Sequence, residues 1–244
     1  GYINLKSFLI GKPTINKINI LSNDIEINNI KNIAKYFKPS NFKKFFLNDV
    51  KKGKITFNLD LFLENNKIES YEVNGVVKNF YAKLENLNFK KASFVYLLKK
   101  NSGEFNNIRG TINGFQINSG NIEFNNQESL NIKGNLKKNF NLNQNNVDKF
   151  FKIKMLRNVS QLQITGKTHS SFTIDFDKTL KLIDYQIESI GNINKTEIKI
   201  KQPVKYSFLK NTIDLLNLDK TEFKINYGKK NKKLINISGF YKVN

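Results

Sequence analysis

The single histidine of this 244-residue chain, His169, lies in GKTHSSF with Ser170 and Ser171 beside it. A histidine next to a hydroxyl raises the chemistry of an activated nucleophile. Adjacent strand residues point to opposite faces, however, and no second histidine exists to build a metal site. His169 is therefore expected in a turn or on the surface. Asp175 and Asp177 share one face of a strand pattern, with Asp184 a little beyond, an arrangement that could serve acid–base work or hold a cation. No DxDxDG-type loop accompanies them, so they read as solvated polar-face residues. The absence of Cys excludes thiolate zinc, iron–sulfur clusters, disulfides and a Cys nucleophile. GxxxxGK[ST], GxSxG and HExxH are also missing. The chain is read as non-enzymatic, with no catalytic residue, metal or cofactor.

Charge is the next clue. Lys and Arg number 41 against 20 Asp and Glu, a formal balance of +21. Nucleic acid would be the obvious partner, yet only Arg109 and Arg157 are arginines, the side chain best suited to bidentate phosphate and guanine contacts. Lys, Asn, Ile and Phe dominate, as they do wherever codons are rich in A and T. The lysines are spread along the chain and read as solvated strand faces, with a secondary attraction to anionic lipid headgroups. No specific nucleic-acid partner is expected.

Hydrophobic residues make up 39% of the chain, enough for a real core. Their placement follows period two. In KITFNLDLFL, Ile55, Phe57, Leu59, Leu61 and Leu63 fall on one face and Thr56, Asn58 and Asp60 on the other, the pattern of a half-buried strand. Similar alternation marks SFVYLL (Phe94, Tyr96, Leu98), NIEF (Ile122, Phe124), SLNIKG, QLQITG, SFTIDF (Phe172, Ile174, Phe176), YQIESI, TEIKIKQPVKYSF, TIDLL, EFKINYG and LINISGFY. Asn- and Gly-rich punctuation between them predicts tight hairpins. Long helices between strands are lacking, which excludes a parallel α/β sheet.

Helical spacing interrupts this pattern twice. Ile30, Ile33, Ala34 and Phe37 predict one short amphipathic helix, and Phe42, Phe45 and Phe46 a second after Pro39, with Ser40 as its N-cap. Val147, Phe150, Phe151 and Met155 predict a third over about 146–157. The Asn-rich stretch NFNLNQNN before it is read as a linker dividing segment 1–143 from segment 144–244. The expected fold is mainly β, a long antiparallel meander forming a curved, open, elongated sheet or groove, with two or three short amphipathic helices. No apolar run reaches the roughly 20 residues of a membrane span, and no signal-peptide core is visible. The chain opens at Gly1 without an initiator Met and is read as a piece of a longer protein whose anchor or export signal lies upstream.

The stretch YFKPSNFKKFFLNDVKKGKITFNLDLFLENNKIESYEVNGVVKNFYAKL, followed by GEFNNIRGTINGFQINSGNIEF and SLNIKGNL, resembles the AsmA-like family of YhdP and TamB relatives. The likeness runs from about Ile25 to Pro203 and rests on Pro39 before a short helix, Gly53 opening a strand, and the strand–Gly–strand rhythm of Gly110, Gly114 and Gly120. Where that family commonly carries Trp before the Gly, this chain carries Phe, at Phe46. The resemblance implies a repeating-β-groove protein of a Gram-negative bacterium that is held in the inner membrane by an anchor outside this segment. It further implies a body that crosses the periplasm, binds phospholipid acyl chains, meets an outer-membrane partner and carries phospholipid towards the outer membrane.

Elementary energetics fit such a use. Each methylene exposed to water costs about 0.8 kcal/mol, so a bare 16-carbon chain faces a barrier on the order of 10 kcal/mol that a continuous apolar groove would remove. Ile55, Phe57, Leu59, Leu61, Phe94, Tyr96, Phe172, Ile174 and Phe176 are the candidate groove lining. The same residues could instead form an ordinary closed core. Two other functions therefore stand beside lipid conduction: a surface or extracellular β-structural adhesion module, and a nonspecific basic nucleic-acid binder.

Overall fold

A computed structural model describes residues 2–3, 15–36, 41–65, 67–84, 87–144, 159–179, 181–205, 207, 212–229 and 234–243. Phe37, Pro39, Ser40, Tyr206, Phe208 and the expected helix over 146–157 lie outside them. Among the described residues the fold is mainly β, an antiparallel meander of thirteen strands that does not close, with two short helices. Strand order follows the chain, except that β3 (Ile25–Glu26) and β2 (Ile15–Leu21) both pair with β4 (Val50–Glu64). The chain divides into two compact units, residues 1–134 with 175–183 and residues 135–174 with 184–244.

In the first unit, β4 is followed by β5 (Lys67–Leu84), β6 (Leu87–Lys99), β7 (Ser102–Ile112) and β8 (Phe115–Asn125). Two-residue turns join β6 to β7 and β7 to β8, and their chemistry is local. Asn113 and Gly114 connect Ile112 to its partner Phe115 with φ of 52° and 89°, the double positive-φ turn that suits the twist of a hairpin. Helices α1 (Ile27–Ala34) and α2 (Asn41–Asn48) arise where the sequence carries helical spacing. Lys31 of α1 donates to the carbonyl of Leu47, an acceptor that the end of α2 leaves free, and to that of Val50 at the start of β4. Burial, and then the neighbouring Lys51, lowers the pKa of this ammonium.

The fully buried core of this unit is small. Ile27, Val50 and Ala82 form its centre, with Phe46, Ile55, Phe80 and Phe89 against them. The helices thus cap one end of the sheet face that the apolar residues occupy. A line of β-bulges sets that end apart. Register slips between Lys52 and Lys54, between Val77 and Phe80, and between Lys90 and Ser93, and Asn79, Lys91 and Asn107 take positive φ beside those slips. Bulges stacked across neighbouring strands bend a sheet and reverse which residues face inward. On β5 the inward set accordingly changes from Val73, Gly75 and Val77 to Phe80 and Ala82. Residues 175–183 belong with this unit, where the Phe176 N–H donates to the Leu130 carbonyl at 2.9 Å.

The second unit holds most of β9 (Asn131–Asn143) and β10 (Val159–Phe176), then β11 (Leu182–Val204), β12 (Ile213–Gly228) and β13 (Leu234–Val243). Residues 139–143, read above as the start of a linker, continue β9, because Phe140 and Leu142 keep the alternation among the asparagines. Gly166 and Gly191 leave gaps in this sheet that aromatics cover. A Cβ on Gly166 would meet the Phe140 ring at 2.4 Å, and one on Gly191 would meet the Phe223 ring at 2.6 Å. The two rings touch edge to face with centroids 6.0 Å apart.

Candidate functional site

Cross-strand register assembles the apolar residues of the first unit into rows perpendicular to the strands. One row runs Ile20, Leu59, Val73, Leu98, Gly103 and Phe124 through β2, β4, β5, β6, β7 and β8. Beside it run Phe57, Gly75, Tyr96, Phe105 and Ile122. Ile55, Val77 and Phe94 form a third row towards the helix cap, and Ile18, Leu61 and Tyr71 a fourth on the other side. At about 4.8 Å per strand, the six-strand row spans about 24 Å, more than the roughly 15 Å depth of one leaflet's hydrocarbon.

These rows are neither sealed nor wholly exposed. Tyr96 and Val77 are buried, while Phe57, Leu59, Val73, Leu98, Phe105, Ile122 and Phe124 are half-buried. The principal contacts of β4–β8 are with their ladder neighbours, and α1 and α2 reach β3 and β4. Aromatic rings on this face contact one another from strand to strand. Phe80, Phe94, Phe105 and Phe124 form a chain of ring contacts at 5.9, 5.7 and 6.3 Å between centroids. Phe124 covers Gly103, and Tyr96 leans across Gly75 to donate its hydroxyl to the Thr56 carbonyl at 3.2 Å. Burial pushes the Tyr96 pKa up to about 12. Glycine under a ring lets the ring approach the strand closely, where a Cβ would collide with it.

The opposite face carries polar and ion-paired residues, with Val76, Val95 and Leu97 among them. Asn19 donates to Asn58 at 2.6 Å and to Asp60 at 2.7 Å, Lys17 pairs with Asp60 at 3.1 Å, and Lys99 pairs with Glu72 at 3.3 Å. Exposed pairs of this kind add little stability, about 0–1 kcal/mol each. Their consequence is solubility for that face and contrast with the other. A depression of about 550 Å³ in the first unit is bordered by the charged Lys99, Glu104, Glu123, Glu128 and Lys133 together with Leu97 and with Gly103 and Phe124 from the end of the first row.

The nine lining candidates fall into place unevenly. Ile55, Phe57, Leu59 and Leu61 share the apolar face of β4, and Phe94 and Tyr96 join it through Val77 and Gly75. Ile55 packs against the helix-capped core, and Tyr96 is part of the floor. Phe172 and Ile174 belong to the second unit and Phe176 to the first, all three half-buried. Val73, Leu98, Phe105, Ile122 and Phe124 complete the rows and were not among the candidates. Alternation in SFVYLL and NIEF already marked Leu98, Ile122 and Phe124, but only register reveals that they continue the row through Leu59.

The residues considered for chemistry are occupied otherwise. His169 is exposed in the middle of β10, on the face opposite the buried Ser170, whose hydroxyl lies 2.7 Å from that of Ser189. Asp177 is not on a strand with Asp175. It follows the end of β10 and closes a turn, accepting from the Thr179 N–H at 2.8 Å, the Thr179 hydroxyl at 2.6 Å and the Lys181 N–H at 3.0 Å. The Thr179 hydroxyl, followed by the Lys181 N–H, lowers its pKa. Asp175 accepts from the Asn131 amide, and Asp184 from the Tyr185 N–H at 2.9 Å. Among the described residues no three His, Asp or Glu side chains gather in a way that could hold a metal. No family model, curated protein or solved structure matches this chain.

Proposed function

We propose that this chain is a segment of a lipid-carrying protein of the cell envelope, whose apolar sheet face holds phospholipid acyl chains. The observation that carries the reading is the continuous row from the exposed Ile20 through the half-buried Leu59, Val73 and Leu98 and the buried Gly103 to the half-buried Phe124. An ordinary two-layer domain covers such a face with a second sheet or a helix layer. Among the described residues the helices pack at one end of this face, against Val50, Ala82 and Phe89, so an acyl chain is a suitable cover for the remainder. The resemblance to the AsmA-like family supports the same reading, and with it a periplasmic body anchored to the inner membrane by a segment outside this chain.

Transport along such a face needs no catalytic group. Successive strands along a row offer similar apolar contacts, so a tail shifted by one strand spacing of about 4.8 Å exchanges one set of contacts for another of nearly equal energy. The barrier is then far below the order of 10 kcal/mol that the bare tail would meet in water. Incubating the purified chain with vesicles of phosphatidylethanolamine and phosphatidylglycerol, re-isolating it and measuring bound lipid by mass spectrometry tests this directly. At least one phospholipid per chain is expected. Recovery of lipid-free protein would overturn the reading.

A further inference from the structure

One lysine stands where the strand pattern calls for an apolar residue. On β9, Leu136, Lys138, Phe140 and Leu142 share one half-buried face, while Asn135, Lys137, Asn141 and Asn143 alternate with them and are exposed. The Phe140 ring rests on Gly166 of β10. Because the strands are antiparallel neighbours, two residues back along β9 and two forward along β10 bring Lys138 beside Thr168, and two more bring Leu136 beside Ser170. Thr168 donates its hydroxyl to the Ile190 carbonyl at 3.1 Å, and the Ser170 and Ser189 hydroxyls are 2.7 Å apart. A polar belt of Lys138, Thr168, Ser170 and Ser189 therefore crosses the inner face of β9, β10 and β11. Apolar residues bound it on both sides, Phe140 and Phe223 on one, Phe172 and Ile187 on the other.

Lysines on the outer face rest in water or against carboxylates, as Lys224 does with Glu188. Lys138 does neither. Burial lowers its pKa, and among the described residues no carboxylate or carbonyl receives its ammonium. A desolvated charge without a counter-ion is costly, and an anion delivered by a ligand offsets that cost. A cation among hydroxyls, with aromatic surface alongside, matches a phosphate ester carrying hydrocarbon tails.

We propose that Lys138 and the hydroxyl belt around it form an anion-holding position in the second unit, which takes the phosphate of a diacyl phosphate ester while the tails lie on the neighbouring apolar residues. The tail component rests on the acyl-chain reading above; the anion component stands on the belt itself. In such a face the position would act as a register point, where a passing lipid pauses by its headgroup.

The test compares two soluble ligands with the same short tails, dihexanoyl phosphatidylglycerol and dihexanoylglycerol, and inorganic phosphate as a third. Binding is followed by calorimetry and by the side-chain NMR signals of ¹³C-labelled lysine. The wild-type chain should bind the phosphate-bearing ligand about tenfold or more tighter than the neutral one. Lys138→Met should abolish that preference while leaving affinity for the neutral ligand intact, which also reports that the variant folds, and Lys138→Arg should preserve it. An unchanged preference in Lys138→Met, or equal affinities in the wild type, would overturn the anion position while leaving the acyl-chain reading standing. If inorganic phosphate moves the Lys138 signals but neither diacyl ligand binds, the anion position holds for free phosphate and the acyl-chain reading falls. Binding of none of the three overturns both.

Discussion

Replacing Gly75 with alanine is expected to destabilise the chain by about 3 kcal/mol, the upper part of the range for overpacking a site that cannot yield. A Cβ there would stand 1.9 Å from the Thr56 carbonyl oxygen and 2.9 Å from the Tyr96 hydroxyl, which are themselves hydrogen-bonded. Relief requires moving β4 away from β5 or turning out the Tyr96 ring, and either opens the floor of the apolar rows. Gly114→Ala is the control. Its φ of 89° strains any side chain, but nothing lies within 4 Å, so the cost should be only about 1–2 kcal/mol. Chemical denaturation of the two variants measures the difference. Equal costs would show that Gly75 is not held between neighbouring strands in this way.

The second large effect is expected on lipid uptake. Leu59→Glu and Leu98→Glu place carboxylates in the middle of the six-strand row. Both positions are half-buried in the free chain, so each glutamate can still meet water and the stability loss should stay near 1 kcal/mol. An acyl chain laid over the same carboxylate removes that water, a penalty of several kcal/mol, so lipid recovered from vesicles should fall at least tenfold. Asn58→Glu, on the polar face beside Asn19, should leave uptake unchanged. A closed core would behave in the opposite way, with Leu59→Glu costing more than 3 kcal/mol in stability.

Legibility of the fold in the sequence followed the regularity of its strands. β4 was transparent because five apolar residues keep perfect alternation from Ile55 to Leu63. β5 was missed because Gly75 leaves a hole in its apolar face, Val76 sits on its other face, and the bulge at Asn79 reverses the parity before Phe80. β7 was obscured similarly, since Asn107 bulges between Phe105 and Ile112. In each case the missing side chain is supplied from another strand, by the Tyr96 ring over Gly75 or the Phe124 ring over Gly103, and a one-strand pattern cannot register that. For the same reason the candidate lining included Tyr96, which the structure uses as floor, and omitted Val73, which continues the row. The Asn-rich stretch before the second segment read as a linker because asparagine is a turn former, yet Phe140 there anchors the neighbouring Gly166. Lys138 is not legible in the sequence, because one lysine among 41 Lys and Arg stands out only once its face is known.

Photolabelling from within a bound lipid tests the central claim most directly. Phosphatidylethanolamine carrying a diazirine in its acyl chain is loaded from vesicles, activated, and its adducts are mapped by peptide mass spectrometry. Adducts should fall on Phe57, Leu59, Val73, Leu98 and Phe124 and skip Asn58, Asp60, Asn74 and Lys99, reproducing the alternation of the sheet. Loaded lipid that labels both faces alike, or that leaves these five residues unlabelled, would contradict an acyl-chain surface on this face.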